Sequence, residues 1–202
     1  MTEFADSAGR KRGPLAIILA CTLVVALAAL AFFLVVLPVL GGAWGANAAP
    51  DLAVLDTPQG PEDHNERIAD PYGDPSSGDQ ALVLGSLRLL GTGEQGTYWV
   101  ARTQGGDVCY WYELGGSSTM GGVCTTPERF NAEGIGSKTS DVENGVTIES
   151  YLLPDRAVPG NSPQYVVDAP GVIIIDPSTP SFSEIKIPTS TGNPLAIHTI
   201  GP

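Results

Sequence analysis

The residues of this chain that could do chemistry are few and widely spaced. It holds two histidines, His64 and His198, and neither has a candidate catalytic partner close in sequence. A Ser-His-Asp site would have to use His198, yet no nucleophile-elbow motif singles out a serine to act with it. A metal site needs three or four converging ligands, and no cluster of Cys and His has the required spacing. We therefore expect no catalytic residues, no metal ligands and no cofactor.

Acidic residues dominate the charge of the chain, with 22 Asp and Glu against 10 Lys and Arg. Pairs such as Asp141 with Glu143 and Asp155 with Asp168 have the chemistry of a carboxylate dyad, but acids at this density more often form a solvated surface. Beyond residue 14 the chain carries 20 acidic and 7 basic residues, a net of −13. Such a surface repels phosphates, so we expect no nucleic-acid partner.

Two cysteines, Cys109 and Cys124, lie outside the apolar N-terminal segment. An even number of cysteines in an oxidising compartment predicts a disulfide, which would close a loop of about 15 residues and stabilise the domain by about 3 kcal/mol. A redox-active pair is the alternative. Such pairs usually have two residues between the sulfurs, whereas 14 residues separate these two, so we favour a structural bond.

Residues 80–202 have the pattern of a mainly-β domain, sandwich-like or β with one short helix. Thr126 can cap a helix over residues 127–133, Pro127 suits its first position, and Gly134 can end it. Short apolar runs bounded by Gly, Pro, Asn and Ser predict strands at residues 87–90, 97–102, 108–114, 146–153, 165–167, 172–175, 185–187 and 195–200.

Most aromatic residues of this domain flank Gly105-Gly106. A two-residue turn there predicts an antiparallel hairpin with Arg102 opposite Cys109 and Val100 opposite Trp111. In that register one face would line the core with Trp99, Ala101, Val108, Tyr110, Tyr112 and Leu114. The other face would carry Tyr98, Val100, Arg102, Cys109, Trp111 and Glu113.

Large apolar residues on both faces of a strand pair indicate cover on both sides, and we expect the helix to cover the second face through Phe130. Exposed aromatic rings bind sugars and peptides, whereas buried ones fill a core. Tyr98 and Trp111 are therefore the candidate binding surface, should the second face prove exposed.

Residues 15–40 carry no charge and follow the basic triplet Arg10-Lys11-Arg12. As a helix this stretch would be about 39 Å long, enough to cross a hydrocarbon core of about 30 Å. Basic residues stay on the cytoplasmic side, so we expect a single-pass protein of the cell membrane with a cytoplasmic stub at residues 1–14 and an extracytoplasmic C-terminal domain. The lipid bilayer is thus one expected partner.

Two processing routes are alternatives to a permanent membrane anchor (a signal-anchor). The pattern at residues 46–48 followed by Ala49 fits signal-peptide cleavage, and residues 18–21 suggest lipid attachment at Cys21. The apolar run is much longer than the 7 to 15 residues of a signal peptide and continues well past Cys21, so we favour a permanent span.

Between the predicted span and the predicted domain, residues 41–79 are rich in Gly, Pro and acids. Low hydrophobicity and like charge leave little to bury, which predicts a disordered linker. Such a linker would reach about 35 Å as a flexible coil.

Six short elements resemble a family of uncharacterised single-pass envelope proteins from high-GC Gram-positive bacteria. They are residues 89–92 (LLGT), 99–102 (WVAR), 107–109 (DVC), 124–130 (CTTPERF), 134–136 (GIG) and 151–155 (YLLPD). The resemblance covers about residues 88–155. The resemblance implies no activity, and we interpret the residues of these six elements as determinants of the fold.

These features together predict a membrane-anchored extracytoplasmic binding or scaffolding protein of the cell envelope, which is not an enzyme. Its partner would be a protein or an envelope polymer. One alternative is an envelope hydrolase acting on a polysaccharide or a peptide. A second is an accessory subunit that joins a larger membrane complex through its helix.

Overall fold

The computed structural model describes residues 48–180 and 183–200, which form a mainly-β domain. The predicted cytoplasmic stub and membrane span lie outside these residues. Within the described residues, no helix is long and apolar enough to cross a membrane.

The described chain contains two α-helices, α1 (Glu66–Tyr72) and α2 (Pro127–Glu133), and four short 3-10 helices at Ala53–Asp56, Pro61–Asp63, Pro75–Gln80 and Leu84–Ser86. Its ten strands are β1 (Arg88–Thr92), β2 (Gly96–Arg102), β3 (Val108–Leu114), β4 (Met120–Thr125), β5 (Ile135–Asp141), β6 (Val146–Leu152), β7 (Tyr165–Ala169), β8 (Val172–Ile175), β9 (Glu184–Ile187) and β10 (Leu195–His198).

The strands form three antiparallel sheets. The first has the order β1-β2-β3-β4, the second has the order β5-β6-β8-β7, and the third is the pair β9-β10. The two four-stranded sheets enclose the main core, which also receives Phe130 from α2. The side chains that fill it from the sheets include Tyr98, Val100, Tyr110, Tyr112, Ile135, Ile148, Leu152, Val172 and Ile174.

Each four-stranded sheet is also covered on its outer face. Ile68 of α1 packs with Leu82 and Leu87 over the outer face of the first sheet, and the β9-β10 pair covers the outer face of the second. The prediction that both faces of the β2-β3 hairpin are covered is therefore confirmed. The prediction that the helix over residues 127–133 provides this cover is wrong. Its Phe130 packs between the two sheets, and α1 covers the outer face of the hairpin instead.

The prediction of a disordered linker over residues 41–79 is wrong for residues 48–79. Leu52 and Leu55 are buried in the main core, and Ile68 is fully buried beneath the helix that carries it. The Asp63 carboxylate accepts a hydrogen bond of 2.7 Å from the backbone of Leu89. These three apolar residues are too far apart in sequence to raise the mean hydropathy of the segment. Each of them is nevertheless buried in a core of the domain. Residues 41–47 lie outside the described residues.

The predicted register of the β2-β3 hairpin is wrong by one residue. The connection is a three-residue loop, in which Thr103 pairs with Asp107 and Gly106 adopts a φ of 92°. This is the geometry of a type I turn followed by a left-handed residue. Trp99 therefore faces Trp111, and Val100 faces Tyr110. The shift moves Trp99 and Ala101 to the outer face and Tyr98 and Val100 to the core.

The predicted helix over residues 127–133 is confirmed. The Thr126 side chain accepts a hydrogen bond from the backbone of Arg129, and Gly134 ends the helix with a φ of 71°. α1, β4 and β5 are not among the predicted elements. β4 carries two adjacent glycines, and β5 turns polar residues such as Ser137 and Thr139 inward, so neither strand shows an apolar run.

Candidate functional site

The disulfide between Cys109 and Cys124 is confirmed. It joins the central strand β3 to the edge strand β4, with the two Cα atoms 4.0 Å apart. Trp111 lies on the same face of β3, two residues further along. The bond therefore fixes an edge strand that two glycines would otherwise leave flexible.

The prediction that Tyr98 and Trp111 form a binding surface is wrong. Tyr98 is 0% exposed and points into the core between the sheets, whereas Trp111 is 2% exposed on the opposite face. The ring of Tyr72 contacts Trp111 at a centroid distance of 5.7 Å. Because both rings are buried, neither can stack on a ligand.

Tyr98 belongs to a stack of three buried tyrosines that connects the two sheets. Its hydroxyl donates to Asp168 on β7, and the Tyr110 hydroxyl donates to Ser150 Oγ on β6 at 3.0 Å. Burial raises the pKa of Tyr98, and its hydrogen bond to Asp168 raises that pKa further. These hydroxyls are therefore structural donors at neutral pH.

An open cleft lies where α2 meets the edges of β4 and β5. Its volume is about 300 Å³, which is at the lower end of the range of ligand pockets. One wall is formed by residues 123–125 of β4 and the other by residues 134–136 at the start of β5. The remaining lining comes from Arg129, Glu133, Tyr151, His198 and Ile200. We call this the α2 cleft.

The polar groups of the α2 cleft are largely engaged with one another. Arg129 and Glu133 form an ion pair one helical turn apart. The Tyr151 hydroxyl lies 2.8 Å from both Glu149 Oε1 and the His198 carbonyl oxygen, and burial raises its pKa. The His198 side chain is exposed at the cleft. The lining of the cleft is thus mixed, with apolar side chains from Val123, Ile135 and Ile200 beside the Arg129–Glu133 ion pair.

A second, more polar cleft of about 430 Å³ lies between the β3-β4 loop and the β5-β6 turn. Asp141 lies at its base and accepts hydrogen bonds from the backbones of Glu143 and Asn144 at 3.1 Å each. Hydrogen bonds from Ser117 and Asn144 lower the pKa of Asp141. These bonds hold the turn in shape and engage the carboxylate that a ligand would need.

The acids weighed above as possible carboxylate pairs have separate structural roles. Asp155 accepts from the backbone of Ala53, while Asp168 accepts from the backbone of Glu94 as well as from Tyr98. Among residues 48–180 and 183–200, no three His, Cys, Asp or Glu side chains are grouped so as to hold a metal ion.

Two residues of the α2 cleft were candidates from the sequence, His198 as a catalytic residue and Cys124 as half of a cysteine pair. Arg129, Glu133 and Tyr151 lack any local motif, because the cleft depends on how two sheet edges and a helix meet. The one sequence signal was the helix start at Thr126, which places Arg129 and Glu133 on the same helical face.

No protein-family model matches the sequence, and no curated protein and no solved structure matches it. The resemblance to envelope proteins therefore stays a prediction.

Proposed function

We propose that this protein is a membrane-anchored, extracytoplasmic binding or scaffolding protein of the cell envelope that works without catalysis. The observation that carries the proposal is the α2 cleft, an accessible cleft with both apolar and charged lining residues, held between strands of two packed sheets. Clefts of this kind are the usual location of binding sites. The expected partner is a protein or an envelope polymer.

The framework around the α2 cleft favours association because little of it must be ordered on binding. The disulfide ties β4 to β3, and the fully buried Phe130 anchors α2 in the main core. Rigid sites lose less conformational entropy when a partner binds, so more of the contact energy appears as affinity.

The proposed location follows from the uncharged residues 15–40, the basic triplet before them and the disulfide, which is typical of an oxidising compartment. The N-terminus would be cytoplasmic and the folded domain extracytoplasmic. Because residues 48–79 pack within the domain, the predicted linker is shortened to residues 41–47. A short tether keeps the effective concentration of a membrane-bound partner high.

An envelope hydrolase is the second candidate, and one observation favours it: His198 shares the α2 cleft with Glu133 and Tyr151. An imidazole beside a carboxylate has the chemistry of an acid-base pair. However, Glu133 is paired with Arg129, and Tyr151 is bonded to Glu149. The third candidate, an accessory subunit, depends on residues 15–40, which lie outside the described residues.

Replacing His198 by Ala in the full-length chain separates the first two candidates. If the protein is a binder, His198→Ala leaves both the fold and the recovery of the crosslinked partner unchanged. If it is a hydrolase, turnover of a polysaccharide or peptide substrate by the wild-type protein is measurable and disappears in the variant. Such a loss with folding unchanged would put the hydrolase first.

A further inference from the structure

One edge of the first sheet is open beside the α2 cleft. Leu114 donates to Thr119 O at 3.0 Å, which fixes the alternation of the β3-β4 ladder. Residues 121, 123 and 125 then turn their backbone groups toward β3, so Gly122 and Cys124 turn theirs outward. Both residues are exposed, and β5 belongs to a different sheet. The edge of β4 therefore presents N–H and C=O groups in the spacing of a strand.

The opposite edge of the same sheet is protected. The outward N–H of Leu89 on β1 donates to the Asp63 carboxylate at 2.7 Å, and Asp63 is only 6% exposed. Proteins normally block free strand edges, because unpaired edges recruit other chains. Because β1 is protected and β4 is not, we infer that the β4 edge pairs with a strand of another chain.

A second observation at β4 is that the Trp111 ring packs over Gly122. Trp111 is 2% exposed, and its Nε1 donor has no partner among the described residues. This nitrogen lies directly over Gly122, only 2.5 Å from where a Cβ on that glycine would be. A side chain on Gly122 would clash with this ring, so the backbone at the open edge of β4 is not covered by a side chain there.

Charge indicates which kind of peptide would fit. Beyond residue 14 the chain carries 20 acidic and 7 basic residues, a net of −13. At the rim of the α2 cleft, Glu133 is paired with the more exposed Arg129, so the attraction comes mainly from the net charge of the domain. A partner with basic side chains would be attracted to this domain, whereas an acidic one would be repelled.

We propose that the β4 edge at Gly122 and Cys124 binds an extended basic peptide segment by adding it to the first sheet as a further strand. The segment enters the α2 cleft, where alternate side chains meet the apolar residues Val123 and Ile135 or the carboxylate of Glu133. This mode of recognition takes its affinity from backbone hydrogen bonds and its specificity from alternate side chains. The inference rests on the proposed binding function and names the partner's chemistry.

The test uses the full-length chain in uncharged detergent micelles and a fluorescent hexapeptide of alternating lysine and valine. We expect binding by fluorescence anisotropy, and slower amide hydrogen exchange in residues 119–126 when the peptide is bound. A peptide with methyl groups on alternate backbone nitrogens should bind at least about tenfold more weakly, because it lacks donors. A peptide of alternating glutamate and valine should also bind more weakly, because its charge is reversed.

Matched variants locate the site on the protein. Glu133→Gln should weaken binding of the lysine peptide about twofold to fivefold, as expected for an exposed charge pair. Glu184→Gln, which alters an equally exposed glutamate paired with Lys186 on β9, should leave it unchanged.

Several results would overturn the proposal. They are no binding of the lysine peptide, equal binding of the N-methylated peptide, or protection from exchange elsewhere than residues 119–126. None of them would exclude a binding function, because capture of a native partner by crosslinking is an independent measurement. Loss of that capture would instead count against the proposed function itself.

Discussion

Tyr98, Tyr110 and Tyr112 show how single side chains join the two sheets of this domain. The ring of Tyr98 stacks with Tyr112 at 5.1 Å and with Tyr110 at 6.3 Å between centroids. The hydroxyls of Tyr98 and Tyr110 then cross to Asp168 and Ser150 on the second sheet. A tyrosine buried with its hydroxyl bonded contributes both apolar area and a hydrogen bond.

Stability should therefore fall in alkaline solution. Burial raises the pKa of Tyr98, Tyr110, Tyr112 and Tyr151 above the ordinary value of 10.0. Because the folded pKa exceeds the unfolded one, their contribution is fully present below pH 10 and is lost as pH rises above it. Each tyrosine should lower the free energy of unfolding by up to about 1.4 kcal/mol per pH unit in that range.

Urea denaturation at several pH values between 8 and 12 measures this slope. Tyr98→Phe should reduce the slope, whereas Tyr165→Phe, outside the stack, serves as the matched control. A slope that Tyr98→Phe leaves unchanged would show that Tyr98 ionises as readily in the folded domain as in the unfolded chain.

Residue types alone could predict the disulfide, but not the partners of the tyrosines. The even cysteine count and the 14-residue separation were sufficient for the pairing of Cys109 with Cys124. Tyr98 was assigned to the wrong face because a single residue in the turn at Gly106 decides the face of every residue on the strand.

Among the helices and strands, those with strong local sequence patterns were predicted, and those without such patterns were missed. α2 has a cap, a proline at its first position and a glycine at its end, and its bounds were predicted as observed. β4 and β5 carry no such signal, since β4 is held by the disulfide and β5 buries Ser137 and Thr139. These two strands form the walls of the α2 cleft, so the candidate site could not be predicted.

Removing the disulfide should destabilise β4 most. Replacing Cys109 and Cys124 together by Ala should lower the free energy of unfolding by about 2 to 5 kcal/mol, because the unfolded chain regains freedom and an edge strand loses its bond to β3. Chemical denaturation of the variant and of the wild type measures the difference. Free thiols in non-reduced wild-type protein would contradict the bond outright.

The segment before β1 is expected to behave as part of the domain. Ile68 is 0% exposed beneath α1, so Ile68→Ala should cost about 2 to 5 kcal/mol of unfolding free energy. Glu66→Ala, on the exposed side of the same helix, is the control and should change little. Equal stability of the two variants, with rapid proteolysis of residues 57–80 in the native protein, would restore the linker interpretation.

At the scale of the whole molecule, the proposed topology places every described residue outside the cytoplasm. Ser76 is exposed, so Ser76→Cys should react in intact cells with a thiol reagent that cannot cross the membrane. Its reaction should not require lysis, because the basic triplet retains the N-terminus inside. Labelling only after lysis would reverse the orientation, and a released fragment starting at Ala49 would show cleavage.

The central claim, that the protein acts by association through the α2 cleft, is tested most directly by photocrosslinking in native membranes. A benzophenone amino acid would replace Arg129 at the cleft rim, and in a parallel protein it would replace Lys186 on β9, whose side chain is similarly exposed. We expect one discrete adduct from position 129, suppressed by an excess of the lysine-valine hexapeptide, and no such adduct from position 186. Identical adducts from both positions, or none from either, would contradict the claim.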